Sequence, residues 1–200
     1  MDFNDIIAAS LNLDIDYEKM TLELLAVQDS DKCFPFSYPP NRGDIDKVTA
    51  YSLFLRINPT FIDYSYRGAK QANESEWGWD YKLNIPYTRH VIESLPFNIL
   101  GAIRVVYFPN VPCVEHTDWD DRGDKAHTLG LSLIPSTGNT WCEIWSDELG
   151  EYVKVFGNAM LLNDSIKHRV PCSNGTRITM RIFGEIDYHA FDNKIIEVYK

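Results

Sequence analysis

Five residues in the second half of the chain could together bind a metal ion and an anion: His116, Asp118, His168, Arg177 and Thr179. Side chains alternate along a strand, so the imidazole and carboxylate of a His-x-Asp pair can point to one face. The chain holds five histidines and many acidic residues, so the pair alone is also typical of an acidic surface turn. A third ligand is needed before it indicates a metal site.

A predicted hairpin brings a second histidine and two arginines onto one face. Asn174-Gly175 is a strong short signal for a two-residue type I′ turn. Pairing the flanking strands about that turn places His168 opposite Arg181, and Arg177 and Thr179 then share their face.

This shared face has two interpretations. If it lines the interior of a barrel, a histidine and two arginines enter a core where an unpaired charge is costly, and an anionic ligand would stabilise them. If it is solvated, the buried side of the strand consists of Ile178, Met180 and Ile182. Both interpretations stay open on the sequence.

Two histidines and one carboxylate on strands match the facial triad that holds non-haem Fe(II) and leaves coordination positions for a cosubstrate and O2. The same ligands could hold Mn or Zn. Arg177 lies four strand positions from the level of His168, roughly 13 Å along the strand, and its side chain can recover about half of that distance. The remaining gap suits a short dicarboxylate bound to the metal at one end and to the guanidinium at the other.

The order His116-x-Asp118, His168 and Arg177-x-Thr179 resembles the Fe(II)/2-oxoglutarate-dependent oxygenases. The preceding segment "VVYFPNVPCVEHTDW" is similar to that of the prolyl hydroxylase and aspartyl/asparaginyl hydroxylase branches. There, a tyrosine nine or ten residues before the first histidine can bind the cosubstrate, and Tyr107 fits that position. The glycine often found between the tyrosine and HxD is absent here.

This resemblance implies a set of roles. His116, Asp118 and His168 would bind Fe(II), and Arg177 with Thr179 would hold the distal carboxylate of 2-oxoglutarate, assisted by Tyr107. In some branches the arginine lies further on, which makes Arg181 the alternative.

The reaction implied is hydroxylation of an amino acid, a peptide or a protein side chain. It consumes O2 and decarboxylates 2-oxoglutarate to succinate. Two alternatives remain: a cupin-like isomerase or dioxygenase that does not use 2-oxoglutarate, and a non-catalytic jelly-roll binding domain.

The elements that would position these residues are mostly strands. After Pro96 the chain carries successive segments of strand length separated by turn residues: "AIRVVYF", "HTLGLSLIP", "TWCEIW", "YVKVFGNAMLL", "HRVPC" and "TRITMRIFGEI". This succession predicts a mainly β fold with a double-stranded β-helix (jelly roll) core and flanking helices. The predicted single domain, 1–200, consists of a helical or mixed flanking region at 1–95, a catalytic core at 96–186 and a C-terminal extension at 187–200.

The first 95 residues have mixed signals. Apolar spacing predicts helices over 5–12 and 17–28, and Pro86 predicts a short helix over 86–95. "TAYSLFLRI" at 49–57 favours a strand without excluding a helix. The proline-rich stretch 33–45 predicts a surface connection.

Composition narrows the partners. A net charge of −10 and a pI near 4.9 disfavour nucleic acid, whose phosphates require Lys and Arg clusters. No signal peptide or membrane span is evident, and four scattered cysteines are typical of reduced thiols, so we expect a cytoplasmic protein that acts on a small molecule, amino acid or peptide. Its oligomeric state does not follow from the sequence.

Overall fold

The computed structural model describes residues 5–38, 48–58, 76–108, 112–117, 127–133, 140–170 and 176–200. In chain order the strands are β1 (Ala8–Leu11), β2 (Phe34–Tyr38), β3 (Val48–Phe54), β4 (Arg56–Ile57), β5 (Gly78–Trp79), β6 (Phe97–Phe108), β7 (Cys113–His116), β8 (His127–Ser132), β9 (Thr140–Ser146), β10 (Glu151–Phe156), β11 (Ala159–Asn163), β12 (His168–Val170), β13 (Arg177–Ile186) and β14 (Ile195–Tyr199). The helices are α1 (Tyr17–Ala26), α2 (Pro86–Glu93) and α3 (Tyr188–Phe191), which a 3-10 turn follows at Asp192–Lys194.

Two antiparallel sheets form the body of the molecule. The large sheet has the spatial order β14-β1-β11-β8-β13-β6-β3-β2, and the small sheet has the order β10-β9-β12-β7. From β6 to β13 the chain repeatedly passes between the sheets, so that β6, β8, β11 and β13 lie in the large sheet and the other four strands lie in the small one. This arrangement is the predicted jelly-roll core.

The outer face of the large sheet is covered by helices. Met20 and Leu24 of α1 and Val91 and Ile92 of α2 are buried in the same cluster as the outward side chains of the sheet. The predictions of helix over 17–28 and over 86–95 are therefore confirmed. Among the described helices, none is long and apolar enough to span a membrane.

The helix predicted over residues 5–12 is wrong. Ala8–Leu11 is a strand that pairs with β11 on one side and β14 on the other, and all four residues are buried. A strand buried on both faces does not alternate between apolar and polar residues, so a short apolar run fits both periods.

The surface connection predicted over 33–45 is wrong in its first part. Residues 34–38 form β2, which pairs with β3 at the edge of the large sheet. Pro35 is tolerated there because an edge strand need not donate every N–H to a neighbour. The remainder of the stretch lies outside the described residues. The strand at 49–57 is confirmed as β3 and β4.

The first 95 residues and the C-terminal extension do more than flank the core. Strands β1, β2 and β3 extend the large sheet on both sides, and β14 is its other edge. The segment "YVKVFGNAMLL" also proves to be two strands in different sheets. They meet at Gly157, whose φ of 117° is unfavourable for other residues.

The predicted hairpin pairing of His168 with Arg181 is wrong, because β12 and β13 belong to different sheets. β12 pairs with β7 and β9, whereas β13 pairs with β6 and β8. Asn174-Gly175, which the sequence places between the two strands, lies outside the described residues. A turn signal identifies a reversal of the chain without identifying the partner strand.

Candidate active site

His116 and His168 face each other on neighbouring strands of the small sheet. Their Cα atoms are register partners, and their ring centroids lie 4.4 Å apart. Directly opposed residues share a face, and the buried Ile144 of β9, the partner of His168 on its other side, shows that this face points inward. The strand register thus brings together two imidazoles that are 52 residues apart in the sequence.

Each imidazole is oriented by a backbone carbonyl two residues earlier. The Nδ1 of His116 lies 2.7 Å from the oxygen of Val114, and the Nδ1 of His168 lies 2.9 Å from the oxygen of Ile166. A carbonyl only accepts, so each Nδ1 carries the proton and Nε2 carries the lone pair of the neutral ring. Metal-binding histidines are commonly held in this way, and the donor set fits a divalent transition metal.

The third predicted ligand, Asp118, lies outside the described residues. Among the residues that the structure does describe, no three His, Cys, Asp or Glu side chains form a group that could hold a metal. His116 and His168 are therefore two candidate ligands in the described part of the chain, and the assignment of all three ligands stays a prediction from the sequence.

Arg177 and Thr179 lie on the inner face of the large sheet. Arg177 is only 4% exposed, and its Cζ stands 4.5 Å from the ring centroid of Phe108, its partner on β6. Thr179 is buried between Val106 and Ser132 on the neighbouring strands. A buried guanidinium beside a hydroxyl can bind a carboxylate through charge-assisted hydrogen bonds.

The structure decides between the interior and solvated interpretations by burying both faces of β13. Ile178, Met180 and Ile182 are completely buried in the helix-covered cluster. Arg177 and Thr179 are buried on the opposite face, toward the small sheet. The large sheet lies between the helices on one side and the small sheet on the other, so a central strand such as β13 has no solvated face.

Arg181 follows on the same inner face. Its Nη1 donates to Oγ1 of Thr128 at 3.2 Å, and that hydroxyl lies 3.4 Å from Oδ2 of the buried Asp164. The positive charge of Arg181 also affects the pKa of the Cys142 thiol in the small sheet. Burial raises the pKa of the Cys142 thiol to about 12, and the cations of Arg181 and Arg177 act in the opposite direction.

Tyr107 is not brought to this group. It pairs with Ile178, so its ring points to the helix-covered face, where the hydroxyl donates to the Leu24 oxygen at 2.8 Å. Burial holds the pKa of that hydroxyl well above its usual range. The inward position beside Thr179 belongs to Val106, one residue earlier.

Sequence reasoning missed Arg104. It lies on β6 directly opposite Arg181, and its Nε donates to Oγ of Ser52 at 2.7 Å. The available signal was a single charged residue within the apolar run "AIRVVYF".

The fold is that of the 2OG-Fe(II) oxygenases. A prolyl hydroxylase from Trichoplax adhaerens, solved with a peptide fragment of the hypoxia inducible factor oxygen degradation domain, has a TM-score of 0.55 at 13% identity, with 92% of this chain and 85% of that chain covered. A 2OG-Fe(II) oxygenase family protein from Caulobacter crescentus has a TM-score of 0.52 at 12% identity, covering 92% and 79%. A Pseudomonas putida prolyl-4-hydroxylase has a TM-score of 0.50 at 12% identity, covering 92% and 95%.

No family model and no curated protein sequence matches this chain. The likeness to the oxygenases therefore lies in the fold, where the resemblance noted in the sequence is confirmed.

Proposed function

We propose that the protein is an Fe(II)- and 2-oxoglutarate-dependent oxygenase that hydroxylates an amino acid, a peptide or a protein side chain. The observation that carries this proposal is the pair His116 and His168 inside the jelly roll, with Arg177 and Thr179 buried on the facing sheet. Two imidazoles that direct Nε2 away from their backbone partners and an enclosed cation suit a metal and an anionic cosubstrate in one interior.

Each side chain has a defined task in this proposal. His116, His168 and Asp118 would hold the iron. Bound iron with 2-oxoglutarate and O2 supplies oxidative decarboxylation to succinate and CO2, coupled to hydroxylation of a substrate C–H bond. Arg177 and Thr179 bind and orient the distal carboxylate of 2-oxoglutarate.

The surroundings of Arg177 favour an anion that stays bound in the interior over one that binds only briefly from solvent. Arg177 is 4% exposed and its Cζ lies over the ring of Phe108, so water is largely excluded and a hydrogen bond to a carboxylate gains strength. An enclosed site of this kind suits a cosubstrate that is bound before the substrate.

The substrate class is supported by charge and by one similar structure. The net charge of −10 disfavours nucleic acid. The similar prolyl hydroxylase from Trichoplax adhaerens was solved with a peptide, and an amino-acid or peptide substrate is the corresponding proposal for this chain.

The proposal is tested by adding Fe(II) and then 2-oxoglutarate to the protein without oxygen. We expect a visible metal-to-ligand charge-transfer band in the wild type and its loss in His116→Ala. Under O2, the wild type should release succinate and the variant should release at least about 100-fold less, since one of the ligands is gone.

A matched control is His189→Ala, because this histidine is 88% exposed in its side chain and lies in α3. It should keep both the band and succinate release. Absence of the band and of succinate in the wild type would overturn the proposal. Metal binding without a response to 2-oxoglutarate would favour the cupin-like alternative.

A further inference from the structure

The strand pairing that brings the two histidines together is short and lies at an edge of the small sheet. β7 has four residues and is the last strand of that sheet, and β12 is its partner among the described strands. β12 has three residues, and the register between the two strands shifts between His168 and Val170. His116 is the final residue of β7. Few ladder hydrogen bonds hold an edge strand of this length, so side-chain contacts contribute much to its position.

The outer face of the small sheet carries a polar cluster directly behind the two histidines. Glu115 precedes one histidine and Arg169 follows the other, so strand alternation turns their side chains outward. Arg169 is the register partner of Glu143 on β9, and its Nε donates to Oε2 of Glu143 at 2.6 Å. This ion pair joins β12 to β9.

Tyr152 of β10 connects this cluster to β7. Its hydroxyl donates to the carboxylate of Glu115, and the Cζ of Arg169 lies 4.1 Å from the centroid of its ring. Trp145, its register partner on β9, meets the ring edge-on with centroids 5.3 Å apart. Because β10 and β7 are the two edges of the small sheet, the side chain of Tyr152 reaches from one edge strand over Arg169 to the other.

A displacement of β7 would change the position of the His116 imidazole in two ways. It would move the Cα atom, which is the register partner of His168. It would also move the Val114 oxygen, 2.7 Å from the Nδ1 of His116, which belongs to the same strand and sets the direction of the ring. The geometry of the histidine pair therefore depends on how firmly β7 is held against β12.

We propose that Tyr152 is a positioning residue of the candidate metal site and acts through Glu115 on β7. The hydrogen bond between them holds β7 in place and so fixes the separation and direction of the imidazoles of His116 and His168. This inference rests on the proposed function, in which the two histidines bind the metal. It assigns part of the site's support to β10, a strand that supplies none of the proposed ligands.

The experiment is a titration of the metal-free protein with Co(II), compared between the wild type and Tyr152→Phe. The substitution keeps the ring beneath Arg169 and removes only the hydroxyl. Loss of a group that directly orients a ligand weakens metal binding about 10- to 100-fold. Tyr152 acts one step further from the metal, so we expect its Kd for Co(II) to rise about 3- to 10-fold.

Hydrogen exchange of the same proteins without metal tests the cause of the weaker binding. In Tyr152→Phe the backbone amides of β7 should exchange faster than in the wild type, because local opening of that strand becomes easier. The amides of β8 and β11 in the large sheet should keep their wild-type rates.

Tyr199→Phe is the matched control, because the hydroxyl of Tyr199 donates to Glu197 at 2.5 Å within β14. It loses the same kind of bond in the other sheet and should keep the wild-type Kd and the exchange rates of β7. Glu115→Gln keeps an acceptor and should stay closer to the wild type than Glu115→Ala. Combining Tyr152→Phe with Glu115→Ala should raise the Kd by less than the product of the two single effects, since both remove one bond.

The inference is overturned if Tyr152→Phe leaves the Kd for Co(II) unchanged. Faster exchange in β7 with an unchanged Kd would overturn it too, because Tyr152 would then stabilise the sheet without positioning the histidines. Fully multiplicative effects in the double variant would show that Tyr152 does not act through Glu115. Failure of the oxygenase proposal is distinguishable, because the wild type would then bind Co(II) yet form no charge-transfer band with Fe(II) and 2-oxoglutarate and release no succinate.

Discussion

At the scale of single residues, strand alternation separates neighbours into different roles. Val106 and Tyr107 are adjacent in the sequence, yet Val106 lies beside Thr179 in the interior between the sheets and Tyr107 bonds to α1 on the other face. Spacing from His116 alone does not decide which of the two lies beside Thr179. The register with β13 decides that the position belongs to Val106.

The variant Tyr107→Phe tests this placement. It removes the hydroxyl that donates to the Leu24 oxygen, which still accepts from the backbone N–H of Val27, so we expect the free energy of unfolding to fall by about 0.5 to 1.5 kcal/mol, the loss of one hydrogen bond. The KM for 2-oxoglutarate should stay within about twofold of the wild-type value, because the hydroxyl of Tyr107 bonds to α1 and does not face the interior between the sheets.

Urea unfolding and succinate kinetics measure the two quantities. Tyr81→Phe is the control, because this tyrosine is 78% exposed. A large rise in the KM for 2-oxoglutarate without loss of stability would show that the hydroxyl of Tyr107 contacts the cosubstrate after all.

At the scale of elements, the two long helices are joined by an unusual cap. Ile85 precedes α2 and provides no side-chain cap, while Pro86 begins the helix. The carboxylate of Glu23 in α1 instead accepts from the backbone N–H groups of Tyr87 and Thr88, both at 2.8 Å. A carboxylate at a helix N-terminus also interacts favourably with the helix dipole.

Removal of this cap in Glu23→Ala should lower the free energy of unfolding by about 1 to 2 kcal/mol, which is typical for loss of an N-cap. Chemical denaturation measures it. The control Glu148→Ala changes an exposed turn residue and should stay within about 0.5 kcal/mol. Equal effects of the two substitutions would mean that Glu23 does not cap α2.

At the scale of the whole molecule, His127 connects both ends of the chain to the core. Its Nε2 lies 2.9 Å from the Ile6 oxygen near β1, and its Nδ1 lies 3.2 Å from the Tyr188 hydroxyl in α3. Nε2 therefore carries the proton and Nδ1 accepts. Burial lowers the pKa of His127 below its ordinary 6.5, and the Ile6 carbonyl and Asp164 oppose this in part.

This shift predicts a loss of stability in acid. Below pH 6.5 the unfolded chain binds a proton at His127 that the folded protein does not bind, so the free energy of unfolding falls as the pH falls toward the folded pKa. The slope from this one group is at most about 1.4 kcal/mol per pH unit. In His127→Gln, which keeps a donor for Ile6, the decline below about pH 6.5 should be shallower than in the wild type.

Denaturant titrations at several pH values measure this slope. The control His189→Gln alters an exposed histidine and should keep the wild-type slope. An unchanged slope in His127→Gln would mean that other groups dominate the acid response.

The sequence by itself determined the mainly β character and the helices that begin at Tyr17 and Pro86. It also determined the kinds of side chain that could form the site. These features depend on local periodicity, proline and turn residues, and residue chemistry. Local patterns predict secondary structure because residues close in the chain are also close in a helix or along a strand.

Only the tertiary structure decided which strands pair. It assigned β12 and β13 to facing sheets, turned Ala8–Leu11 into a strand, directed Tyr107 away from the interior, and placed Arg104 beside Arg181. Strand pairing joins residues far apart in the sequence, and a one-residue change of register reverses every side chain. The interior shared by His116, His168 and Arg177 is therefore a property of the packed sheets, which no single segment encodes.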